Sequence, residues 1–284
     1  MPVMQMKGKR TRKEKRELRK QDLQRRLKRK SRATLITYAV IRVLILAVMV
    51  RSLFAGRMEN VFTCLLSLLL LYLPSIVERK LEMHLPTALE ITVVVFIFAS
   101  EILGEIACFY VTVPFWDKAL HTISGFIYAA VGYSMADILN RDKRTSFRLS
   151  PVFLAVGAFC FSMTIGALWE IFEFSVDNLL MKDMQKDTVI QHITSVTLDP
   201  TRSNIPITIS GITDTVVNGE SLSLGGYLDI GLYDTMEDLI VNMIGALVFS
   251  VGGFFQQKRK RRSKMAEYFA PVADINIEEA AQNE

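Results

Sequence analysis

The sequence predicts an all-α membrane protein, in which about six transmembrane helices form a bundle and one loop carries a small β-hairpin region. Half of the 284 residues are hydrophobic and the mean hydropathy is +0.27, although 22% are charged. These values are compatible only if charged and apolar residues occupy separate stretches of the chain. Six apolar runs of roughly 20 residues meet this condition, and each is long enough to cross a bilayer as a helix.

The apolar runs divide the chain into a membrane domain, residues 33–256, and two polar tails, residues 1–32 and 257–284. A long loop, residues 177–235, separates the last two runs. The predicted spans are residues 33–53, 61–77, 86–109, 119–139, 151–176 and 236–256.

Basic residues predict the orientation of these spans. Fifteen Lys or Arg lie between residues 7 and 32, and six lie between residues 258 and 264. The positive-inside rule then places both termini in the cytoplasm of a multi-pass protein of the cell membrane, with the long loop outside. The N-terminal tail has no interleaved aromatic residues and no nucleic-acid-binding motif, so we expect it to contact anionic membrane lipids and no nucleic acid.

The first three spans carry few polar residues. Arg42 lies near the middle of span 1 and needs a partner inside a membrane, and we expect Glu90, near the start of span 3, to pair with it structurally. Span 2 shows no chemistry and is expected to serve packing. The outer half of span 3 carries Glu101 and Glu105 on one helical face, of which Glu101 is the deeper.

Span 4 opens with Asp117 and His121, which lie one helical turn apart. A carboxylate beside an imidazole can orient a general base or contribute to a metal site. The alternative is structural, because Asp117 is also well placed to cap the start of the helix.

Span 5 ends in three carboxylates, Glu170, Glu173 and Asp177, which share one helical face at spacings i, i+3 and i+7. A carboxylate at membrane depth is costly unless it is paired, hydrated or protonated. This cost marks the three residues as functional candidates.

The long loop alternates β-branched and polar residues over 188–197 and 205–217, with turn-forming pairs at Asp199-Pro200 and Asn218-Gly219. This pattern predicts a small extracytoplasmic hairpin or cap over the helix ends. A loosely ordered loop is the alternative.

Span 6 begins with a polar stripe, in which Asp238 and Asn242 follow Asp234 at intervals of four residues. Gly245 continues close to this face, and a glycine there lets another helix approach closely, so the stripe is predicted to face the bundle interior. An acidic helix N-terminus would explain Asp234 and Glu237, but not Asn242.

In a six-span topology all four polar segments reach the same outer membrane face, which predicts one acidic, outward-facing site. Its catalytic candidates are His121, Glu170 and Asp238. Its substrate-binding candidates are Glu101, Asp117, Glu173, Asp177 and Asn242. Asp117, Glu170 and Asp238 are candidate ligands for a divalent cation, and oxygen-rich ligands suit Mg, Mn or Ca.

Three motifs resemble a known family: Trp116-Asp117-Lys118-Ala119-Leu120-His121, Trp169-Glu170-Ile171-Phe172-Glu173-Phe174, and the segment from Asp234 to Ala246. They resemble the YjdF-like family of uncharacterised prokaryotic membrane proteins, over roughly residues 60–256. They are more distantly similar to VanZ-like proteins, which share Asp-Lys-x-x-His and Asp-x-x-x-Asn-x-x-Gly and are associated with envelope glycopeptide resistance. This chain has Phe174 and acidic groups where those proteins usually carry Gln, and no Arg shortly before Asp238. The resemblance implies a shared fold.

Three functions are compatible with such a site. A hydrolase or transferase acting on an envelope lipid or lipid-linked intermediate would use a cation to polarise a phosphoryl oxygen and His121 as acid or base. A proton- or cation-coupled transporter would use the same carboxylates as ion sites. A structural scaffold would use them only to hold the bundle together.

Overall fold

The computed structural model describes residues 30–81, 83–141, 149–258, 269 and 272–273. The predicted helical membrane bundle is confirmed. Five helical segments are long and apolar enough to cross a membrane: Arg32–Phe54, Met58–Lys80, Thr87–Ile106, Pro151–Leu180 and Leu232–Phe255. The N-terminal tail up to residue 29 and most of the C-terminal tail lie outside the described residues.

The chain forms two compact units, which meet in sequence between Ala107 and Cys108. The first unit contains α1 (Arg32–Phe54), α2 (Met58–Leu70), α3 (Leu73–Leu81), β1 (Met83–His84) and α4 (Thr87–Ile97), which a π-helix (Phe98–Ile106) continues. α2 ends at Leu70 because the ring of Pro74 would clash with the carbonyl of that residue in a continuous helix. The unit encloses an apolar core that includes Ile45, Leu71 and Val94.

The two buried carboxylates of the first unit, Glu78 and Glu90, have partners. Glu90 pairs with Lys30 and accepts a hydrogen bond from the Tyr38 hydroxyl at 3.0 Å. Glu78 accepts one from the Leu85 N–H at 3.0 Å and lies 3.4 Å from His84 Nδ1.

The predicted pair between Arg42 and Glu90 is wrong, because Lys30 takes the place beside Glu90. Lys30 belongs to the polar tail that precedes α1, from which its side chain reaches the start of α4. The Arg42 guanidinium lies instead over two aromatic rings, 5.3 Å from the centroid of Tyr38 and 5.5 Å from that of Tyr72. Such cation–π contacts partly replace hydration for a charge within an apolar helix.

The second unit contains three long helices that pack against one another, α6 (Trp116–Arg141), α7 (Pro151–Leu180) and α8 (Leu232–Lys258), preceded by the short α5 (Phe109–Thr112). Ser150 caps α7 by accepting a hydrogen bond from the Phe153 N–H, and Pro151 occupies the first turn, where no N–H partner is needed. α7 and α8 each extend about one turn beyond the predicted spans, so the connecting loop is shorter than expected.

α6 corresponds to the predicted span 119–139 but is not among the five most apolar segments. At 26 residues it is about 39 Å long, which is enough to cross a bilayer. Polar residues such as His121 and Ser124, together with two glycines, lower its hydropathy. Its crossing of the membrane stays a prediction.

Two glycines set the packing of α6 against α8. A Cβ atom at Gly245 would lie 2.0 Å from the Thr122 carbonyl oxygen, and one at Gly125 would lie 2.2 Å from that of Asn242. The backbones of α6 and α8 therefore touch at both glycines. Small residues permit such close approach in pairs of membrane helices. α7 joins the pair where the Ser162 hydroxyl donates to the Gly125 carbonyl at 2.8 Å.

The loop between α7 and α8 contains the predicted hairpin region. Three antiparallel pairs form, β2 (Thr188–Ile190) with β7 (Tyr227–Asp229), β3 (His192–Ser195) with β4 (Ile207–Ser210), and β5 (Val216–Val217) with β6 (Glu220–Ser221). The turn between β5 and β6 is Asn218-Gly219, and both residues have positive φ, at 53° and 88°. Two such residues form the tight turn that suits the strand twist of a hairpin. The remaining strand is β8 (Val272–Ala273).

Asp199 organises the connection between β3 and β4. Its carboxylate accepts hydrogen bonds from the N–H groups of Thr201, Ser203 and Ile205 and from the Thr201 hydroxyl, at 2.6–3.2 Å. The Thr201 hydroxyl and these N–H groups hold the pKa of Asp199 at about 2, below its ordinary value of 3.8.

We expect Gly245→Ala to destabilise the second unit by about 2 kcal/mol or more, because the new methyl group overlaps the Thr122 carbonyl. Thermal unfolding of the detergent-purified chain measures the effect. Gly157→Ala is the matched control, because a Cβ there meets nothing within 4 Å. Equal melting temperatures for the two variants would contradict the close helix contact.

We expect the Asp199 carboxylate to stabilise its loop above pH 3.8 and to lose this effect as the pH falls through about 2, because protonation removes the acceptor for the three N–H groups. Hydrogen exchange of the peptide spanning residues 199–205, corrected for intrinsic rates, measures it. At pH 7 Asp199→Ala should exchange faster than the natural chain, and this difference should shrink as the pH falls and vanish below pH 2. The control is Glu220→Ala on the exposed β6 strand, and equal exchange at pH 7 would contradict the assignment.

Candidate functional site

A cluster of carboxylates surrounds one histidine in the second unit, where α7 ends and α6 and α8 begin. His121 Nε2 lies 3.6 Å from Asp117 Oδ1, one turn earlier on α6, and 3.8 Å from Asp238 Oδ2 on α8. The other ring nitrogen, Nδ1, lies 3.6 Å from Glu170 Oε1 on α7. Three helices thus each place a carboxylate against a single imidazole ring.

Glu173 extends the cluster along α7. One oxygen of Glu173, one of Glu170 and one nitrogen of His121 all lie within 4.8 Å of one another. The Trp169 indole N–H donates a hydrogen bond to Glu173 Oε1 at 2.8 Å, and the two residues lie one helical turn apart on α7. Glu173 therefore has a neutral hydrogen-bond donor on its own helix.

Within the part of the chain that the structure describes, several buried oxygen atoms in the cluster have no hydrogen-bond partner. The Asp238 side chain is only 1% exposed, and neither of its oxygens accepts a hydrogen bond. Glu170 Oε2 and Asn242 Oδ1 are also buried and also accept no hydrogen bond from a described residue. An unsatisfied buried polar group costs about 1–3 kcal/mol, and more when it is charged, so these atoms call for a cation, a proton or a polar ligand.

Positive charge near the cluster does not offset this surplus of acceptors. Lys118 pairs with Glu237 at 2.5 Å, but both side chains are more than one-third exposed, and such pairs contribute little. Among the described residues, His121 alone forms an ion-pair contact with Asp238 or Glu170. Two like charges 4.8 Å apart repel by about 3–4 kcal/mol at an effective dielectric constant of about 20.

Asn242 lies one turn farther into the membrane segment than Asp238. Its amide packs against Gly166 of α7, where a Cβ would lie 2.6 Å from Nδ2, and its Nδ2 contacts Met163 Sδ at 3.6 Å. The prediction that this helix face points into the bundle is therefore confirmed.

The structure brings most of the predicted site residues into this cluster, namely Asp117, His121, Glu170, Glu173, Asp238 and, one turn deeper, Asn242. Glu101 lies on the π-helix of the first unit, and its participation stays a prediction. Asp177 faces the loop, where its two oxygens accept hydrogen bonds from the Met184 and Gln185 N–H groups at 2.6 and 2.8 Å. Its role in the structure is to hold the start of that loop.

The predicted site omits two neighbours, Asp234 and Trp169. Asp234 is buried and accepts a hydrogen bond from the Lys186 N–H at 2.7 Å, which fastens the loop to α8. Its spacing of four residues from Asp238 was the available signal. Trp169 holds Glu173, and its spacing of four residues from that carboxylate was the corresponding signal.

The base of the loop is acidic as well. Burial and the negative charges of Asp183 and Asp229 raise the pKa of Asp187. The same loop segment contacts α8 where Gln185 hydrogen bonds to Thr235. The loop segment 184–186, next to the cluster, is thus hydrogen bonded to the last turns of α7 and to the first turn of α8.

Comparison with known proteins places the chain in a family. Residues 37–259 match a family described as predicted membrane proteins, DUF2238. The chain belongs to the DUF2238 family. This membership agrees with the resemblance to YjdF-like proteins seen in the three motifs.

One curated relative is an uncharacterised protein of Thermotoga maritima, 28% identical over 107 residues, which are 38% of this chain and 53% of the relative. The chain thus spans about half the length of the curated relative it matches. No solved structure matches the chain.

Proposed function

We propose that this DUF2238 protein is a membrane-embedded hydrolase or transferase that acts on the headgroup of an envelope lipid or of a lipid-linked intermediate. The observation that carries the proposal is the set of buried, unpartnered carboxylate oxygens around His121. A site that only held helices together would gain stability by matching its acceptors to donors. The surplus of acceptors favours a site completed by a cation and a substrate.

The reaction would follow from the groups at hand. A divalent cation held by the carboxylates would neutralise a phosphoryl group and polarise its oxygen. Water or an alcohol would attack phosphorus and give its proton to a nearby carboxylate, and the bond to the leaving oxygen would break as that oxygen takes the proton from the carboxylic acid. Glu170 and Glu173 supply carboxylates on the side of the imidazole opposite Asp238.

The surroundings of the cluster favour a lipid-linked substrate. On α7, Trp169 and Phe172, which flank Glu170 and Glu173 in the sequence, are substantially exposed. Exposed apolar side chains on membrane-spanning helices contact lipid tails. A substrate with its headgroup in the cluster could keep its chains against this surface.

Transport is a second candidate, supported by the burial of Asp238. A carboxylate with no partner inside a helix bundle is also the group that proton- or cation-coupled transporters use. The two candidates differ in whether a covalent change occurs in a lipid.

We expect a distinct lipid precursor to accumulate in a strain that lacks the gene and in one that carries Glu170→Gln, because the variant removes a carboxylate that faces His121. Mass spectrometry of total envelope lipids measures this. Glu237→Gln is the control, since this exposed residue pairs only with Lys118. If no lipid mass changes while all variants express equally, lipid chemistry is excluded and ion flux in the same strains becomes the decisive assay.

We also propose that both termini are cytoplasmic and that the loop between α7 and α8 lies outside the cytoplasm, on the basis of the basic tails. Alkaline phosphatase, which folds only outside the cytoplasm, should be active when inserted at Gly219. Green fluorescent protein fused after residue 284 should fluoresce. The opposite pattern would reverse the orientation and place the acidic cluster at the cytoplasmic face.

A further inference from the structure

We infer that the cluster binds one divalent cation through Asp117, Asp238 and His121 Nε2, and that Glu170 is a positioning residue that holds the opposite edge of the imidazole. This inference rests on the site of the proposed function but on no particular reaction. It differs from the sequence-based ligand set, in which Glu170 was a ligand and His121 was not.

The structure offers two alternative ligand groups that share His121. Asp117, His121 and Asp238 form one group, and His121, Glu170 and Glu173 form the other, each with its donor atoms within 4.8 Å of one another. The first group uses Nε2 and the second uses Nδ1.

Imidazole chemistry allows only one of these groups to bind a metal at a time. A neutral imidazole has one nitrogen with a free lone pair, and its other nitrogen carries a proton. When one edge of His121 binds a cation, the other edge must donate its N–H to an acceptor. A carboxylate that accepts this N–H fixes the orientation of a metal-binding histidine.

The unpartnered oxygens decide between the two arrangements. With the cation at Nε2, the unpartnered Oδ2 of Asp238, 3.8 Å from Nε2, lies beside it, and Nδ1 faces Glu170 Oε1 at 3.6 Å. With the cation at Nδ1, Asp238 would receive at most one hydrogen from Nε2 and would keep an unpartnered oxygen. Glu173 needs a cation least, because it already accepts the Trp169 hydrogen bond.

The distances suit the first arrangement. Metal–ligand bonds of about 2.1 Å place neighbouring ligand atoms about 3.0–3.4 Å apart. His121 Nε2 lies 3.6 Å from Asp117 Oδ1 and 3.8 Å from Asp238 Oδ2, so shifts of a few tenths of an ångström bring these two pairs to that spacing. Two carboxylates and one imidazole suit Mn²⁺ and leave positions open for water or a phosphoryl oxygen.

Binding of Mn²⁺ to the detergent-purified full chain, followed by electron paramagnetic resonance, tests the inference without any substrate. We expect one ion per chain, with spin-echo modulation from a single histidine nitrogen. Asp117→Asn and Asp238→Asn should each weaken binding at least tenfold. Glu170→Leu should weaken it about 10- to 100-fold, whereas Glu170→Gln, which keeps an oxygen to accept the N–H, should lose only a few-fold.

Glu237→Gln is the matched control, because it removes an adjacent exposed charge of α8 and should leave the affinity unchanged. If Asp238→Asn fails to fold, Asp117→Asn carries the test, since Asp117 lies in the first turn of α6 and is partly exposed. Unchanged binding in both aspartate variants overturns the inference. So does a larger loss in Glu173→Gln than in Asp238→Asn, which would favour the other ligand group. Mn²⁺ binding without lipid turnover would reject the proposed function alone.

Discussion

The contact between the backbones of α6 and α8 determines the rest of the second unit. Helices separated by ordinary side chains pack 8–10 Å apart between their axes. At Gly125 and Gly245 nothing separates the two backbones, so the helices approach until carbonyl groups of each face the glycines of the other. His121 lies one turn before Gly125, Asp238 lies one turn before Asn242, whose carbonyl meets Gly125, and the close approach places His121 and Asp238 together. The acidic cluster therefore depends on glycine at positions 125 and 245, because any side chain there would separate α6 from α8.

The two units differ in how they treat buried carboxylates. In the first unit, Glu90 and Glu78 face a lysine, a tyrosine hydroxyl, a histidine and a backbone N–H. In the second unit, Asp238 has no hydrogen-bond partner although it is more deeply buried than either of them. Matched groups of the first kind stabilise a fold, whereas unmatched groups of the second kind cost stability unless a ligand or a proton satisfies them. This contrast supports the proposed function of the cluster.

Much of the fold and of the cluster could be predicted from sequence, because hydropathy marks helices and the 3.6-residue period marks faces. Asp117, His121 and Asp238 were predictable since each lies on a stripe that continues to a glycine or another polar residue. The loop role of Asp177 was not, because its partners lie in a turn whose path depends on tertiary contacts. The Lys30 partner of Glu90 was hidden for a similar reason, since Lys30 is one of many basic residues in its tail.

The lower hydropathy of α6 has a consequence for biosynthesis. The helix that supplies the histidine is also the one least able to enter a bilayer by itself, because insertion by the translocon depends on apolar content. Its glycine contact is with α8, which ends at Lys258, more than a hundred residues after α6 ends. At about 5–20 residues per second, translation leaves α6 without this partner for on the order of ten seconds. During that interval α7, the next helix made, is the neighbour available to pack against α6.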